Sequence, residues 1–336
     1  MNNNKLIELN DKGLYCSKGG FYIDPLKAVD KALITHAHSD HARWGSKNYL
    51  AVNRSENLLK LRLGKEINLQ TVKYGEVLNI NGVKVSFHPA GHILGSAQIK
   101  LEYNKEVTVV SGDYKNEEDI TCDKFEPVRC NTFITESTFG LPIYKWSPQK
   151  EMFDEINQWW KLNTKNGITS VLYGYSLGKA QRLISGLDSS IGPILTHRTV
   201  EKINDCYRAS GINLPITTCF ENINDKNVFK ESIIIAPPAG DSLIQGKKLD
   251  NFSLAFASGW MQVRSIRKRR NVDKGFVLSD HSDWDGLINT IKETGAEKIL
   301  VTHGYTEVLV RWLKENGWDA SSLESQKVKS QSSKIF

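Results

Sequence analysis

The stretch "ALITHAHSDHARWG" (32–45) holds His36, His38, Asp40 and His41, three of the chain's eight histidines and an aspartate within a few positions. Imidazole nitrogens and carboxylate oxygens are the ligands that zinc and other divalent ions take. In an extended segment residues i and i+2 project to the same side, so His36 and His38 can reach one ion. Asp40 and His41 lie past them, where the chain should turn, and can face a second. Further candidates follow other apolar runs: His92 after "VKVSFHPAG", Asp113 after "VTVVSG" and His303 after "KILVT". One ion takes about four ligands. The candidates His36, His38, Asp40, His41, His92, Asp113 and His303 are therefore enough for two.

Other groups occupy similar places. Glu136 ends "TFITE", His281 follows "GFVLSD", and Asp24 ends "FYID". Asp24 precedes Pro25 and reads either as a turn residue or as a partner that orients a ligand histidine. His88 lies inside an expected strand and reads as structural, and His197 matches no pattern. His281 is a non-ligand candidate whose ordinary pKa of about 6.5 suits proton transfer.

The elements that must position these groups are short. "KALIT" (31–35), "VKVSFH" (83–88), "VTVVSG" (107–112), "TFITE" (132–136), "GFVLSD" (275–280) and "KILVT" (298–302) are brief runs rich in β-branched and other apolar residues, which predicts buried strands. Helical spacing predicts helices in "SPQKEMFDEINQWWKLNTKNG", "LGKAQRLISGL" and "DWDGLINTIKETG". The class is mixed α/β, in which ligands gather outside the carboxyl ends of strands.

With 336 residues, 40% of them apolar, the chain can build a large core, as one big domain or one domain carrying an insertion. No stretch of 18 or more apolar residues suggests a membrane span, and the N-terminal residues do not form a signal peptide. Five scattered cysteines without a C-x-x-C pair argue against a disulfide framework and for a reduced, cytoplasmic setting. The net charge of +6 permits a polyanionic partner without requiring one.

The positive charge is concentrated. Arg264, Arg267, Lys268, Arg269 and Arg270 fall within seven positions, upstream of His281, where a polyanion approaching the candidate acid would pass. "YGYSLGKAQR" is one residue short of a P-loop and has Ala180 in place of the hydroxyl, which excludes an ATP site. Ser176, Gly178 and Lys179 still form a candidate phosphate contact at a helix start. Trp146, Trp159, Trp160 and Trp260 suit core packing better than base stacking.

The pattern H-x-H-x-D-H with a distant His, Asp and final His resembles the metallo-β-lactamase superfamily. "TEST" (135–138), "SDHSDWDG" (279–286) and "VTHG" (301–304) resemble the additional motifs of its β-CASP nucleases. "AGHILGSAQI", "VSGDYK", "CNTFITESTFGLPIY", "YSLGKAQRL" and "SGWMQVRSIRKRR" narrow the likeness to the bacterial DNA ligase-associated exonucleases, also labelled mRNA 3′-end processing factors. The resemblance implies a metallo-β-lactamase αββα sandwich (1–145 and 271–318) with an inserted α/β β-CASP domain (146–270), followed by a flexible tail (319–336). It implies two divalent ions, zinc or manganese, one held by His36, His38 and His92, the other by Asp40, His41 and His303, with Asp113 between them. Glu136 and Asp24 would stand behind the ligands. His281, with Asp40 and Glu136, would act in catalysis, His281 protonating the leaving group.

The implied activity is phosphodiester hydrolysis, as a DNA exonuclease in DNA repair. The alternatives are RNA 3′-end processing, favoured by a histidine at position 303, and hydrolysis of small thioesters or lactams. The implied partners are nucleic acid and, by resemblance, an ATP-dependent DNA ligase and a helicase.

Overall fold

The computed structural model describes residues 5–240, 249 and 251–325. The chain divides into two compact units, Met1–Pro142 with His281–Phe336, and Ile143–Asp280. Among the described residues, nineteen strands form three sheets.

The first unit holds two sheets. One orders β1 (Ile7–Asn10), β2 (Gly13–Cys16), β3 (Phe21–Ile23), β4 (Lys31–Leu33), β5 (Asn48–Val52) and β6 (Leu69–Val72) in sequence. It is antiparallel through β3 and parallel beyond it. The other runs β19 (Asp319–Ser322), β18 (Lys298–Gly304), β11 (Thr132–Ser137), β10 (Glu106–Val110), β9 (Ala97–Tyr103), β8 (Val83–Pro89), β7 (Leu78–Ile80). Its β7–β10 half is an antiparallel meander, and β10, β11, β18 and β19 are parallel.

Both sheets contribute to one apolar cluster, with Phe21, Ile23, Leu33 and Val52 from the first meeting Val85, Phe87, Ile99, Val110 and Ile134 from the second. A second cluster joins the second sheet to the helices Trp284–Thr294 and Thr306–Glu315 through Val109, Phe133, Ile299, Leu287, Ile291, Leu309 and Leu313. The parallel strands β10, β11 and β18 are thus apolar on both faces, which is why they read as continuous hydrophobic runs. Each buried side chain of this kind contributes about 1.5–3 kcal/mol, whereas a solvent-screened surface pair such as Lys27–Asp11 contributes little. The two cores, not the surface ion pairs, hold the frame.

The second unit is a parallel sheet ordered β14 (Thr218–Cys219), β13 (Ile194–Thr196), β15 (Ile233–Ala236), β12 (Thr169–Tyr173), β16 (Phe252–Ala257), β17 (Lys274–Phe276). Its helices include Gln149–Lys165, Lys179–Ser185 and Arg198–Ala209. The long helix buries Met152, Ile156, Trp159 and Trp160 at helical spacing and leaves its acidic and basic positions outward.

Three boundaries differ from the expectation. Residues 143–145 belong with the second unit, and so do 271–280, because Lys274–Phe276 adds to that unit's sheet beside β16. The stretch 319–336 does not begin as a tail. Asp319–Ser322 pairs in parallel with β18, and Ala320 and Leu323 are buried. Single apolar residues between polar ones hide this edge strand from a hydrophobicity reading. Residues 326–336 of the expected tail lie outside the described residues.

Candidate metal centre

Strand ends in the first unit deliver the candidate ligands. Beyond β4 the chain continues through Ile34 and Thr35 to His36 and His38, then turns, with the amides of His41 and Ala42 both donating to the His38 carbonyl. β8 ends at Pro89 and leads through Ala90 and Gly91 (φ +72°) to His92. A methyl at Gly91 would lie 2.2 Å from the Lys115 carbonyl oxygen, so only glycine brings this loop so close to its neighbour. β10 leads through Ser111 and Gly112 to Asp113, and Glu136 lies within β11.

Three of these rings form a tight triangle. His38 Nδ1 lies 3.1 Å from both His36 Nε2 and His92 Nε2, and Asp113 Oδ2 lies 3.6 Å and 3.8 Å from those two Nε2 atoms. Nitrogens about 2.0–2.1 Å from one tetrahedral zinc would be about 3.3 Å apart. Three ring nitrogens and a carboxylate oxygen converging at this spacing make a donor set that fits a divalent ion. His36, His41, His92 and Asp113 are buried.

The second set is looser. His41 Nε2 stands 3.6 Å from Asp113 Oδ2 and 3.7 Å from Asp40 Oδ2, which places Asp113 between the two groups. Asp40 is largely exposed. His303, at φ +53°, is also exposed, and its ring centroid lies 5.8 Å from that of His41. The structure therefore brings His36, His38, His92 and Asp113 into one cluster, sets His41 and Asp40 beside it, and leaves His303 on the rim.

Electrostatics follow this layout. Burial, and then the neighbouring histidines, hold His36 well below the usual imidazole range, so it stays neutral. Burial also opposes charge on His41, but Asp113, Asp24 and Asp40 outweigh it and raise its pKa to about 10. Burial pushes Asp113 up, yet the surrounding histidines His41, His281, His92 and His38 prevail and keep its carboxyl below the usual range.

A second cluster joins Asp113 to Glu136 and His281. His281 Nδ1 lies 2.9 Å from both Glu136 oxygens, and its Nε2 lies 4.0 Å from Asp113 Oδ2. A carboxylate only accepts, so Nδ1 carries a proton and Nε2 faces the cluster. Glu136, itself buried, also accepts from the Tyr114 amide at 2.9 Å. The Phe139 ring stands edge-on to His281, with centroids 6.0 Å apart.

Asp24, at φ +43°, accepts from His41 Nδ1 at 2.7 Å and from the Thr35 amide at 2.8 Å. Asp24 therefore contacts a candidate ligand ring while also adopting a turn conformation. Sequence reasoning missed Thr35 itself and Arg62, which donates to the Ala37 carbonyl inside the histidine motif. Thr35 directly precedes His36, and that adjacency was the available signal. Nothing local marked Arg62, which comes from the helix Glu56–Leu63.

The remaining candidates lie in the second unit. Lys179 is corrected as a phosphate contact: it is 2% exposed, and its Nζ donates to the Leu278 carbonyl at 2.7 Å and pairs with Asp280 at 2.7 Å. Ser176 is half-buried and lies 3.3 Å from the Thr199 hydroxyl. Arg264, Arg267, Lys268, Arg269 and Arg270 are all exposed on or just after the short helix Arg264–Arg269. Arg267 donates to the Met261 carbonyl and Arg270 lies 4.8 Å over the Phe256 ring. Trp160 is fully buried and Trp159 nearly so, while Trp146 and Trp260 pack against Tyr144. His88 lies in β8 beside the Ser86 hydroxyl, and His197 caps the helix Arg198–Ala209.

No family model matches the chain. Among curated proteins it is 27% identical to a probable DNA ligase of Opitutus terrae, over 92% of this chain and 30% of that protein. It is 26% identical to endoribonuclease ysh-1 of Neurospora crassa, over 67% of this chain and 31% of that protein. It is also 26% identical to cleavage and polyadenylation specificity factor 73 of Drosophila melanogaster, over 52% and 26%. The chain thus spans about a third or less of the length of these relatives. A solved structure of a protein of unknown function from Enterococcus faecalis V583 shares the fold, with a TM-score of 0.58 at 11% identity over 86% of this chain and 78% of that one. These relatives agree with the likeness to the metallo-β-lactamase-fold β-CASP nucleases that the motifs carry.

Proposed function

We propose that this chain is a metal-dependent phosphodiesterase, and specifically a DNA exonuclease acting in repair. Its two-sheet unit is read as the αββα sandwich and its parallel-sheet unit as the β-CASP insertion. The observation that carries the reading is the meeting of two clusters at Asp113: the His36/His38/His92 triangle on one side, the His281–Glu136 pair on the other. A lactam or thioester hydrolase would use the triangle but has no need of an oriented, carboxylate-backed histidine beside it.

His36, His38 and His92 would hold one divalent ion, zinc or manganese, and Asp40, His41 and His303 a second, with Asp113 shared. Ions bound there supply activation of water and neutralisation of charge on the phosphoryl oxygens. The chain's own residues do the rest. Glu136 holds His281 with Nε2 toward the cluster, and the carboxylate stabilises the imidazolium that donates a proton from Nε2 to the departing sugar oxygen. His41 and His36 are held with Nε2 inward. The exposed cations of 264–270 and Ser176 would grip phosphates along the strand, steering a polyanion by charge. The proposed partners are nucleic acid, a DNA ligase, which the relative named a probable DNA ligase supports, and, by the motif resemblance alone, a helicase.

RNA 3′-end processing is the second reading, favoured by the relatives named endoribonuclease and by His303. End-labelled single-stranded DNA and RNA of one sequence, incubated with the protein and Zn²⁺ or Mn²⁺ beside Asp113→Ala, separate the two. Metal-dependent shortening of DNA that is lost in the variant supports the repair reading. Preferential cutting of RNA supports the second, and cleavage of neither refutes both.

A further inference from the structure

Asp24, Thr35, His36 and His41 form a single hydrogen-bonded unit. The Thr35 hydroxyl lies 2.5 Å from Asp24 Oδ2 and 3.1 Å from His36 Nδ1, and His41 Nδ1 lies 2.7 Å from the same Asp24 oxygen. A hydroxyl has one proton to give, and a carboxylate can only accept. The Thr35 proton therefore goes to Asp24, and the hydroxyl oxygen must accept from His36 Nδ1–H. His41 Nδ1–H donates to Asp24 directly. In both imidazoles Nδ1–H is engaged within this unit and Nε2 is the nitrogen turned to Asp113, each 3.6 Å from its Oδ2.

We infer that Thr35 is a positioning residue that passes the Asp24 carboxylate on to His36, so that one half-buried carboxylate fixes the tautomer and ring orientation of a ligand in each half of the metal centre. This rests on the reading of the site as a metal centre. Its surroundings are shaped for the task. Thr35 is 1% exposed, its amide donates to Asp24 Oδ1 and its carbonyl accepts from the Ala97 amide, which leaves the residue no freedom to turn. Gly112, at φ +57° and next to Asp113, clears the space: a methyl there would lie 2.7 Å from Thr35 Cβ and 2.8 Å from its hydroxyl oxygen. The residue before the bridging carboxylate and the residue before the first ligand histidine are thus fitted to one another. Partners behind metal ligands change metal affinity by about 10- to 100-fold when removed.

The test is metal binding, read by chelator competition and by bound-metal stoichiometry, on Thr35→Val, Thr35→Ser and Gly112→Ala. Thr35→Val keeps the shape and loses the hydroxyl, and is expected to bind metal about 10- to 100-fold more weakly. Thr35→Ser keeps the hydroxyl and is expected to restore the wild-type affinity, while Gly112→Ala, which displaces Thr35, is expected to resemble Thr35→Val. Equal affinities in wild type and Thr35→Val would overturn the inference alone. A Thr35→Ser protein as weak as Thr35→Val would also overturn it, by showing that the methyl group and not the hydroxyl matters. A wild-type protein that bound no metal would overturn the metal reading as well.

Discussion

Lys179 offers a direct contest between two roles for one residue. As a phosphate ligand it would have to project from the turn that starts the helix Lys179–Ser185. The structure instead buries it to 2% exposure and pairs it with Asp280, 7% exposed, while its remaining donors include one to the Leu278 carbonyl. Removing one member of a buried pair costs about 3–5 kcal/mol, because the other charge is left in a medium that solvates it poorly. Total stability of a domain is about 5–15 kcal/mol, so Lys179→Met should remove a large share of it. With a urea dependence of about 2 kcal/mol/M, the unfolding midpoint should fall by about 1.5–2.5 M. Tryptophan fluorescence reports on this unit, since Trp159 and Trp160 lie in its core. Adding Asp280→Leu should recover much of the loss, because an apolar pair can replace a buried ionic one. A Lys179→Met protein with an unchanged midpoint and weakened binding of single-stranded DNA would refute this reasoning and return the residue to the substrate.

The basic helix makes the opposite kind of prediction. Replacing the exposed Arg264, Lys268 and Arg269 with alanine should leave the midpoint unchanged but lower the slope of log affinity against log salt for single strands by about 2, at about 0.7 for each phosphate no longer neutralised; a fluorescence-anisotropy salt titration reads it. In the same unit, burial works against the Glu201 carboxylate, but hydrogen bonds from Thr196 and Thr217, with Arg208, more than offset it and lower the pKa. A lowered folded-state pKa adds stability that is fully present above the unfolded value of 4.5 and is lost as pH falls through the folded value. Glu201→Gln should therefore be less stable than wild type at pH 7, with the gap narrowing below about pH 4.5 in urea unfolding followed across pH.

Legibility of the sequence depended on how each feature is encoded. "VTVVSG", "TFITE" and "KILVT" stood out because β10, β11 and β18 are buried on both faces. Most of the first sheet did not. β1, β2 and β3 are three- or four-residue strands with half-buried tyrosines and polar positions, such as "IELN" and "GLYC", and carry too few apolar residues to set a period. The clustering of His36, His38 and His92 was readable because histidine is rare in the chain and each follows a strand. Lys179 was misread for the converse reason: a lysine near glycines at a helix start looks the same whether it meets phosphate or a carboxylate 101 positions later in the chain, and only the fold brings Asp280 to it. Arg62, reaching back to Ala37, was hidden in the same way.

The arrangement of rigid and exposed groups within the first unit has a chemical logic. His36, His92, His41, Asp113 and Glu136 are buried and held by strand ends that share two apolar cores. A site of this kind is oriented before anything binds, which is the condition for strong electrostatic stabilisation of a transition state. Asp40 and His303 stand on the solvent side, so the two halves of the proposed centre differ in how firmly the fold defines them. Metal affinity should differ accordingly, because preformed, well-oriented ligands bind without first being ordered. Stepwise chelation of the fully loaded protein should release one ion well before the other, with His41→Ala affecting the first ion released and His92→Ala the last. Release of both ions in a single step, or the reverse assignment by the two variants, would show that the exposed ligands are as well fixed as the buried ones and would refute the argument from burial.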